Sequence, residues 1–162
     1  MAELDHRVKN TLANIQALVT QSSRSADSLK VFVEGLDKRI HSMARAHSLL
    51  TQSRWEGVSV DDLLREELEP YTHALGNVVL NGVDAVLTPK SALALSLVLH
   101  ELATNAAKFG AFSRPGGSVA VQWRILGDGS IGLSWTESGG PVVEPPTRRG
   151  FGTSLIERAL TL

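Results

Sequence analysis

The chain has no cysteine and only six prolines among its 162 residues. Without cysteine it has no disulfide scaffold, thiolate metal site or cysteine nucleophile. It has no apolar run of 18 residues and no charged-then-apolar leader, so the sequence indicates neither a membrane span nor secretion. We therefore expect a cytoplasmic protein without a membrane segment.

An excess of charge of one sign is also missing, because 16 Lys and Arg balance 17 Asp and Glu for a net charge of −1. This balance argues against a general nucleic-acid-binding surface, so we expect no nucleic acid among the partners. Hydrophobic residues make up 43% of the chain, which is enough to form a buried core and excludes wholesale disorder.

Glycine and proline divide the chain into two parts. Residues 1–56 contain one glycine and no proline, whereas residues 57–162 contain the other 13 glycines and all six prolines. In the first part, apolar residues at helical spacing predict two amphipathic helices, with the polar stretch 22–28 between them. The second helix shows heptad spacing, which is typical of helices packed side by side. Because one hairpin has too small a core to be stable alone, we expect residues 1–56 to form a four-helix bundle with a second copy.

The second part mixes helix and strand patterns. Helices are predicted over 59–71 and 88–109, where Ser59 and Thr88 provide caps, and a last helix begins at Ser154. Strands are predicted at 77–80, 83–87, 119–126 and 130–135. Asn81-Gly82 and the glycine turn 127–129 would make each pair a hairpin. These patterns predict an α+β chain in which an α/β sandwich follows the helical hairpin.

His6 is the first candidate functional residue. At 100° per residue it lies about 160° from the centre of the apolar stripe of its helix, facing away from the core. Asn10 lies on the same exposed face one turn later, and Asp5 and Lys9 flank it. An exposed histidine is usually only a solvated side chain. An accessible imidazole can also act as a nucleophile, with Asn10 holding a water or substrate, and the spacing leaves both interpretations open.

Glu101, Asn105 and Lys108 share one face of the predicted helix 88–109. An ordinary solvated face would look the same. The segment is otherwise strongly apolar, however, and a carboxamide among buried residues needs a partner. A hard divalent cation accepts amide and water oxygens, and a nearby lysine suits a phosphate. The pattern is therefore compatible with one wall of a magnesium-nucleotide pocket.

Glycine-rich segments follow the last predicted strand and precede the last predicted helix. Gly150 and Gly152 let the backbone approach a ligand closely, and the start of a helix offers free N–H groups to an anion. Glu137, at a strand end, could accept a hydrogen bond from an adenine amino group. A flexible loop and a simple glycine turn would explain the same residues.

In this order, the segments resemble the core of a sensor histidine kinase of the HWE subgroup. Residues 4–10 (Leu-Asp-His-Arg-Val-Lys-Asn) resemble its phosphoacceptor box, and residues 100–109 resemble its N box. Residues 135–137 are similar to its Trp-x-Glu signature, and residues 150–152 to its glycine box. The resemblance covers nearly the whole chain.

This resemblance implies a dimerisation and histidine phosphotransfer hairpin over 1–56 and a Bergerat-type ATP-binding domain of the histidine kinase/GHKL type over 57–162. His6 would take the γ-phosphate of ATP and pass it to an aspartate of a response-regulator receiver domain. The chain begins almost at the phosphoacceptor box and ends inside the last predicted helix. We therefore expect it to lack an upstream sensory domain and the family's closing strands.

The resemblance also implies roles for single residues near the reaction. Asn105 would coordinate Mg²⁺, and Lys108 would approach the phosphates. Glu101 would be the acid or water-positioning group. Asn10 matches the position at which related kinases orient a water that dephosphorylates the regulator.

Further roles concern the nucleotide. Glu137 would stand where other histidine kinases use an aspartate to read adenine, and Gly139 would allow close approach. The residues expected along the phosphate side are Gly150, Gly152 and Thr153. The subgroup markers, to which the resemblance assigns no mechanistic role, are His100 and Trp135.

Two other functions stay open at this point. The chain could be a histidine phosphotransfer protein whose degenerate ATP-like domain binds no nucleotide, or a scaffold that only dimerises. The N-box residues and Gly150-Phe151-Gly152 favour the kinase.

Overall fold

A computed structural model describes residues 2–72 and 77–142, apart from the side chains of residues 2–4, 6, 7 and 25. The helices are α1 (Ala2–Ser25), α2 (Leu29–Gln52), α3 (Val60–Thr72), α4 (Pro89–Lys108) and a short 3₁₀ helix (Ala111–Ser113). The strands are β1 (Val58–Ser59), β2 (Asn77–Gly82), β3 (Val86–Leu87), β4 (Ser118–Ile125) and β5 (Ile131–Ser138). This mixture confirms the predicted α+β class. The helix predicted from Ser154 lies outside the described residues.

Helices α1 and α2 form the predicted hairpin. Ser28 caps α2 by accepting a hydrogen bond from the Val31 N–H at 3.2 Å. Helix α1 continues through Ser22, although the polar composition there predicts a break. Ser22 is buried, and its hydroxyl accepts a hydrogen bond from Arg39 Nη1 at 3.2 Å. Packing against α2 therefore outweighs the weak helix propensity of serine.

Helix α2 contributes to two apolar clusters. Met43 packs with Leu18 of α1, whereas Ala46 and Leu50 are fully buried in the main core with residues of α3, α4 and the strands. The hairpin and the second part of the chain thus share a core through α2. The domain boundary between residues 56 and 57 stays a prediction, which rests on the change in glycine and proline content there.

The main sheet has the order β2-β4-β5, with β2 parallel and β5 antiparallel to β4. On β4 the buried residues alternate, as expected where one face of a strand packs on a core. These residues, Val119, Val121 and Trp123, belong to the core that α3 and α4 also form. The β4–β5 hairpin confirms the prediction, although β5 extends to Ser138, so that Glu137 lies inside the strand opposite Val119.

The other predicted hairpin, with an Asn81-Gly82 turn, is wrong. Both residues belong to β2, which pairs with β4, and β3 pairs with β1 instead. Gly82 lies opposite Trp123, and a Cβ at this glycine would overlap the indole ring. The Trp123 indole also donates a hydrogen bond to the Val83 carbonyl at 2.7 Å. Gly82 therefore makes room for a ring rather than for a turn.

Helix α4 agrees with its predicted bounds. The Thr88 hydroxyl accepts a hydrogen bond from the Ser91 N–H at 3.2 Å, and Pro89 occupies the first turn. Helix α3 begins at Val60, directly after the predicted cap Ser59, which also ends β1. In the two described ranges, every helix is too short or too polar to cross a membrane.

Replacement of Gly82 by alanine tests the fit against Trp123. Because the new methyl group would overlap the indole, Gly82→Ala should lower the free energy of unfolding by about 1–3 kcal/mol in a chemical denaturation experiment. Gly127→Ala is the matched control, since nothing lies within 4 Å of a Cβ there; its effect should stay below about 0.5 kcal/mol. Equal effects of the two substitutions would contradict the steric explanation.

Candidate functional site

The C-terminal end of α4 carries two exposed side chains of the predicted nucleotide wall, Asn105 and Lys108. The Asn105 carbonyl accepts hydrogen bonds from the N–H groups of Phe109 at 2.8 Å and Gly110 at 3.2 Å, which end the helix. The carboxamide of Asn105 forms no hydrogen bond with another residue that the structure describes. Both side chains are therefore accessible to a ligand.

Glu137 of β5 lies beside this helix end. Its Oε2 accepts a hydrogen bond from the Ala111 N–H at 2.8 Å. A Cβ on Gly110 would overlap the same oxygen, so only glycine fits between the carboxylate and the end of α4. The fold thus brings Glu137 next to the segment that carries Asn105, as the predicted pocket requires.

Glycines let the neighbouring backbones meet. Gly139 has φ +74°, and a Cβ there would lie 3.0 Å from the Gly116 carbonyl oxygen. A Cβ on Gly140 would lie 2.8 Å from the Ala111 nitrogen. The close approach predicted for Gly139 thus occurs between two segments of the chain, and its contact with a nucleotide stays a prediction.

Trp135 is hydrogen-bonded to Glu137. Its indole Nε1 donates to Glu137 Oε1 at 3.1 Å, while the half-buried ring packs against the main core. Residues i and i+2 of a strand point to the same face, which explains how a Trp-x-Glu sequence brings the two side chains together.

Glu101 is buried and paired with a residue of α2. Its Oε1 accepts from Arg39 Nε at 2.7 Å, and the two side chains are only 10% and 14% exposed. Arg39 therefore links α4 to Ser22 of α1, to which its Nη1 also donates. The role of Glu101 as an acid or water-positioning group stays a prediction, since its carboxylate is engaged in this arrangement.

A second buried carboxylate joins α2 to α3. Glu67 accepts hydrogen bonds from Arg45 Nη2 at 2.7 Å and from the Ser42 hydroxyl at 3.0 Å. Its side chain is fully buried, and this burial raises the pKa of Glu67 despite the opposing effects of Arg45 and Ser42. The Ser42 hydroxyl also contacts the Ser96 carbonyl of α4 at 3.3 Å. A polar layer thus lies between α2 and the two helices that it packs against.

His100, which precedes Glu101 on α4, is also buried. Burial lowers the pKa of His100 to about 4, and the positive charges of Arg45 and Arg39, and more weakly of Lys38 and Lys108, act in the same direction. The ring is therefore neutral near pH 7. The subgroup marker is thus a buried neutral imidazole at a helix interface.

Sequence reasoning did not identify the α2 side of this layer. Arg39, Ser42 and Arg45 follow one another at three-residue spacing, which resembles the solvated edge of an amphipathic helix. One signal was available in α3, where Glu67 interrupts an apolar stripe. The stripe includes Leu63, Leu64 and Leu68, all fully buried. A carboxylate within such a stripe predicts a buried cationic partner, but it does not identify which one.

The direction of α4 places its C-terminal end far from His6. Ser96 of α4 lies beside Ser42, whereas Glu101, further along α4, reaches Arg39, which comes earlier in α2. The two helices are therefore antiparallel. The end of α4 points toward the start of α2, at the turn of the hairpin.

His6 lies at the other end of that hairpin. Arg39 binds both Ser22 and Glu101, so these three residues lie at about the same height along the axis of the hairpin. His6 lies sixteen positions before Ser22, about 24 Å of helix at 1.5 Å per residue. The structure therefore groups Asn105, Lys108 and Glu137 but does not bring His6 to them.

Some predicted site residues have no described side chain. That of His6 lies outside what the structure describes, although the residue belongs to α1. Asn10 is exposed on the same helix. The glycine-box residues Gly150, Gly152 and Thr153 lie outside the described residues.

The low pKa of His100 predicts a pH-dependent stability. In the unfolded chain the imidazole has an ordinary pKa of 6.5, whereas in the folded chain the pKa is about 4. The unfolded state thus binds the proton first, and stability present above pH 6.5 is lost as the pH falls toward 4. Over this window the wild type should lose up to about 3 kcal/mol more stability than His100→Gln. Urea denaturation of both proteins at several pH values measures the difference. The contribution of Glu67 to the pH dependence cancels in this comparison, because both proteins contain Glu67. Parallel curves would contradict the burial of a neutral ring.

Comparison with known proteins supports the resemblance seen in the sequence. Residues 3–84 match the family described as HWE histidine kinase. Over 98% of its length the chain is 36% identical to the blue-light-activated histidine kinase of Brucella anthropi, and 32% identical to that of Brucella abortus. It spans about a third of the length of these curated relatives, 33% in each case.

Solved structures show the same fold. The histidine kinase domain of the Erythrobacter litoralis EL346 blue-light activated histidine kinase matches 99% of this chain and 81% of its own, with a TM-score of 0.66 and 18% identity. A longer chain of that protein, covered to 51%, gives a TM-score of 0.70 over 99% of this chain at 17% identity. The predicted helical hairpin followed by a histidine-kinase-type α/β sandwich is therefore confirmed. The chain belongs to the HWE histidine kinases.

Proposed function

We propose that this chain is the catalytic core of a two-component protein-histidine kinase. It would transfer the γ-phosphate of ATP to His6 and then to an aspartate of a response-regulator receiver domain. The observation that carries the proposal is the grouping of Asn105, Lys108 and Glu137 around the end of α4 in a chain of this family. Such a core would act in the cytoplasm, where ATP and receiver domains are found.

The chemistry of these residues fits a magnesium nucleotide. Mg²⁺ keeps several waters and phosphate oxygens, so one accessible amide oxygen, that of Asn105, suits it. When bound, the ion would neutralise charge on the phosphates. Lys108 would bind a phosphate oxygen, and Glu137 would accept a hydrogen bond from adenine. Along the phosphate side we propose the glycine-box residues Gly150, Gly152 and Thr153.

His6 supplies the nucleophile in this proposal. A ring nitrogen of its imidazole forms the new N–P bond while the bond from the γ-phosphorus to the bridging oxygen breaks and ADP leaves. The catalytic contribution of the chain is mainly to position the two groups in line. Asn10, one turn later, would orient the water that dephosphorylates the regulator.

Transfer within this chain requires a second arrangement, because about 24 Å of helix separates His6 from the level of the Arg39–Glu101 pair. Helix α4 would have to leave α2. The buried Arg39–Glu101 pair opposes this step only weakly, since the cost of desolvating its charges largely offsets their attraction. Release would also free the Glu101 carboxylate from Arg39.

A second copy of the chain would cover an apolar edge of the hairpin. Val8 and Leu12 are 50% and 58% exposed, and Val19, Val33 and Ile40 are exposed as well. The heptad spacing of α2 predicts helical contacts at Val33 and Ile40, and the other three residues belong to the apolar stripe of α1. We therefore propose a homodimer in which residues 1–56 complete a four-helix bundle.

Labelling with [γ-³²P]ATP and Mg²⁺ tests the kinase directly. Acid-labile label should appear on the wild type and disappear in His6→Gln, because the nucleophile is gone. It should fall at least about 100-fold in Asn105→Ala, the loss expected for removal of a group that positions the reacting phosphate. The matched controls are His41→Gln and Asn81→Ala, which change exposed residues outside the site and should label normally. Label that survives in His6→Gln would reject His6 as the phosphate acceptor. An unlabelled wild type that accepts phosphate from a phosphorylated receiver domain would instead support the histidine phosphotransfer protein.

A reversible lock between α2 and α4 tests the second arrangement. The chain contains no cysteine, so Ser42→Cys with Ser96→Cys introduces one defined thiol pair where the two helices touch. When mass spectrometry shows the bridge, autophosphorylation should fall at least about tenfold and return on reduction, because α4 can no longer leave α2. Each single cysteine variant should be insensitive to oxidation. A bridged protein with a full rate would show that the acceptor reaches the nucleotide without this opening.

A further inference from the structure

The Glu137 carboxylate is held by a donor on each oxygen. The Ala111 N–H binds Oε2 at 2.8 Å, and the Trp135 indole binds Oε1 at 3.1 Å. An exposed glutamate normally rotates freely about its side-chain bonds. Two hydrogen bonds to an ionised group are comparatively strong, and together they fix the plane of this carboxylate.

Both donors are themselves anchored. Trp135 pairs with Val121 of β4 and packs its ring against the main core. Ala111 follows the end of α4, where Gly110 leaves no space for a Cβ beside Glu137 and Gly140 approaches the Ala111 nitrogen closely. The carboxylate therefore cannot turn without disturbing either the sheet or the end of α4.

Glu137 nevertheless keeps capacity for a ligand. It is exposed, and each carboxylate oxygen has a second lone pair beyond the one used within the chain. An ionised carboxylate only accepts hydrogen bonds. It attracts the amino group at position 6 of adenine and repels the carbonyl oxygen at the same position of guanine.

We propose that Trp135 is a positioning residue that fixes Glu137 and thereby makes the nucleotide site select a 6-aminopurine over a 6-oxopurine. This inference rests on the proposed function, because it assumes that Glu137 reads the base. A carboxylate released from Trp135 can rotate away from a 6-oxo group. Loss of the indole N–H therefore weakens the binding of adenine nucleotides and reduces discrimination.

Calorimetric titration of the full chain with Mg-ATP and with Mg-GTP tests the proposal. Trp135→Phe keeps an apolar aromatic ring, although a smaller one, and removes the N–H donor. The dissociation constant for ATP should rise about five- to tenfold, as expected for one hydrogen bond to a charged group. Because affinity for GTP should stay the same or improve, the preference for ATP should fall by at least the same factor.

Trp123→Phe is the matched control. This substitution on β4 also replaces an indole by a smaller ring and removes an N–H, which donates to the Val83 carbonyl at 2.7 Å. It should lower stability while both nucleotide affinities stay unchanged. The inference would be overturned if Trp135→Phe kept the wild-type ratio of ATP affinity to GTP affinity. An equal loss of both affinities gives that same ratio and would show that Trp135 has a structural role alone. If this variant keeps the wild-type ratio while the wild type still labels His6, only the inference fails. A wild type that binds no adenine nucleotide rejects the proposed function as well.

Discussion

Burial of one face of α2 against α3 and α4 is the constraint on which the rest of this structure depends. That face carries Ala46 and Leu50 into the main core, but it also carries Arg39, Ser42 and Arg45. A charge can be buried only if it is paired, so Glu101 and Glu67 have to lie opposite the two arginines. The Arg39–Glu101 pair and the Ser42–Ser96 contact fix the level and direction of α4 on the hairpin, whereas the Arg45–Glu67 pair holds α3.

This packing decides where the two halves of the proposed reaction lie. Because α4 runs antiparallel to α2, the end of α4 that carries Asn105 and Lys108 lies near the turn of the hairpin, while His6 lies near the opposite end. A purely apolar interface of this size would hold such an arrangement firmly. The buried Arg39–Glu101 pair adds little net free energy to this interface, because the cost of desolvating its charges offsets most of their attraction; the opening that we propose therefore has mainly the apolar contacts to overcome.

The proposed nucleotide site depends on contacts among three segments of the chain. The end of α4, the 3₁₀ helix and the end of β5 meet through backbone groups, with Gly110, Gly139 and Gly140 leaving the necessary space. Glu137 joins them by binding the Ala111 N–H and the Trp135 indole. The two members of the Trp-x-Glu signature thus act as one unit, since strand geometry places both on the same face.

The sequence by itself determined the α+β class, the two hairpin helices, the bounds of α4 and the β4–β5 hairpin, because local periodicity and caps encode these features. It also identified Asn105, Lys108 and Glu137 as candidates. Only the tertiary structure decided that Asn81 and Gly82 belong to a strand, because the deciding contact comes from Trp123, 41 residues beyond Gly82. The pairing of Glu101 with Arg39 and the neutral state of His100 were likewise decided by tertiary packing. Both depend on burial between distant helices, and no local pattern specifies which charges will meet there.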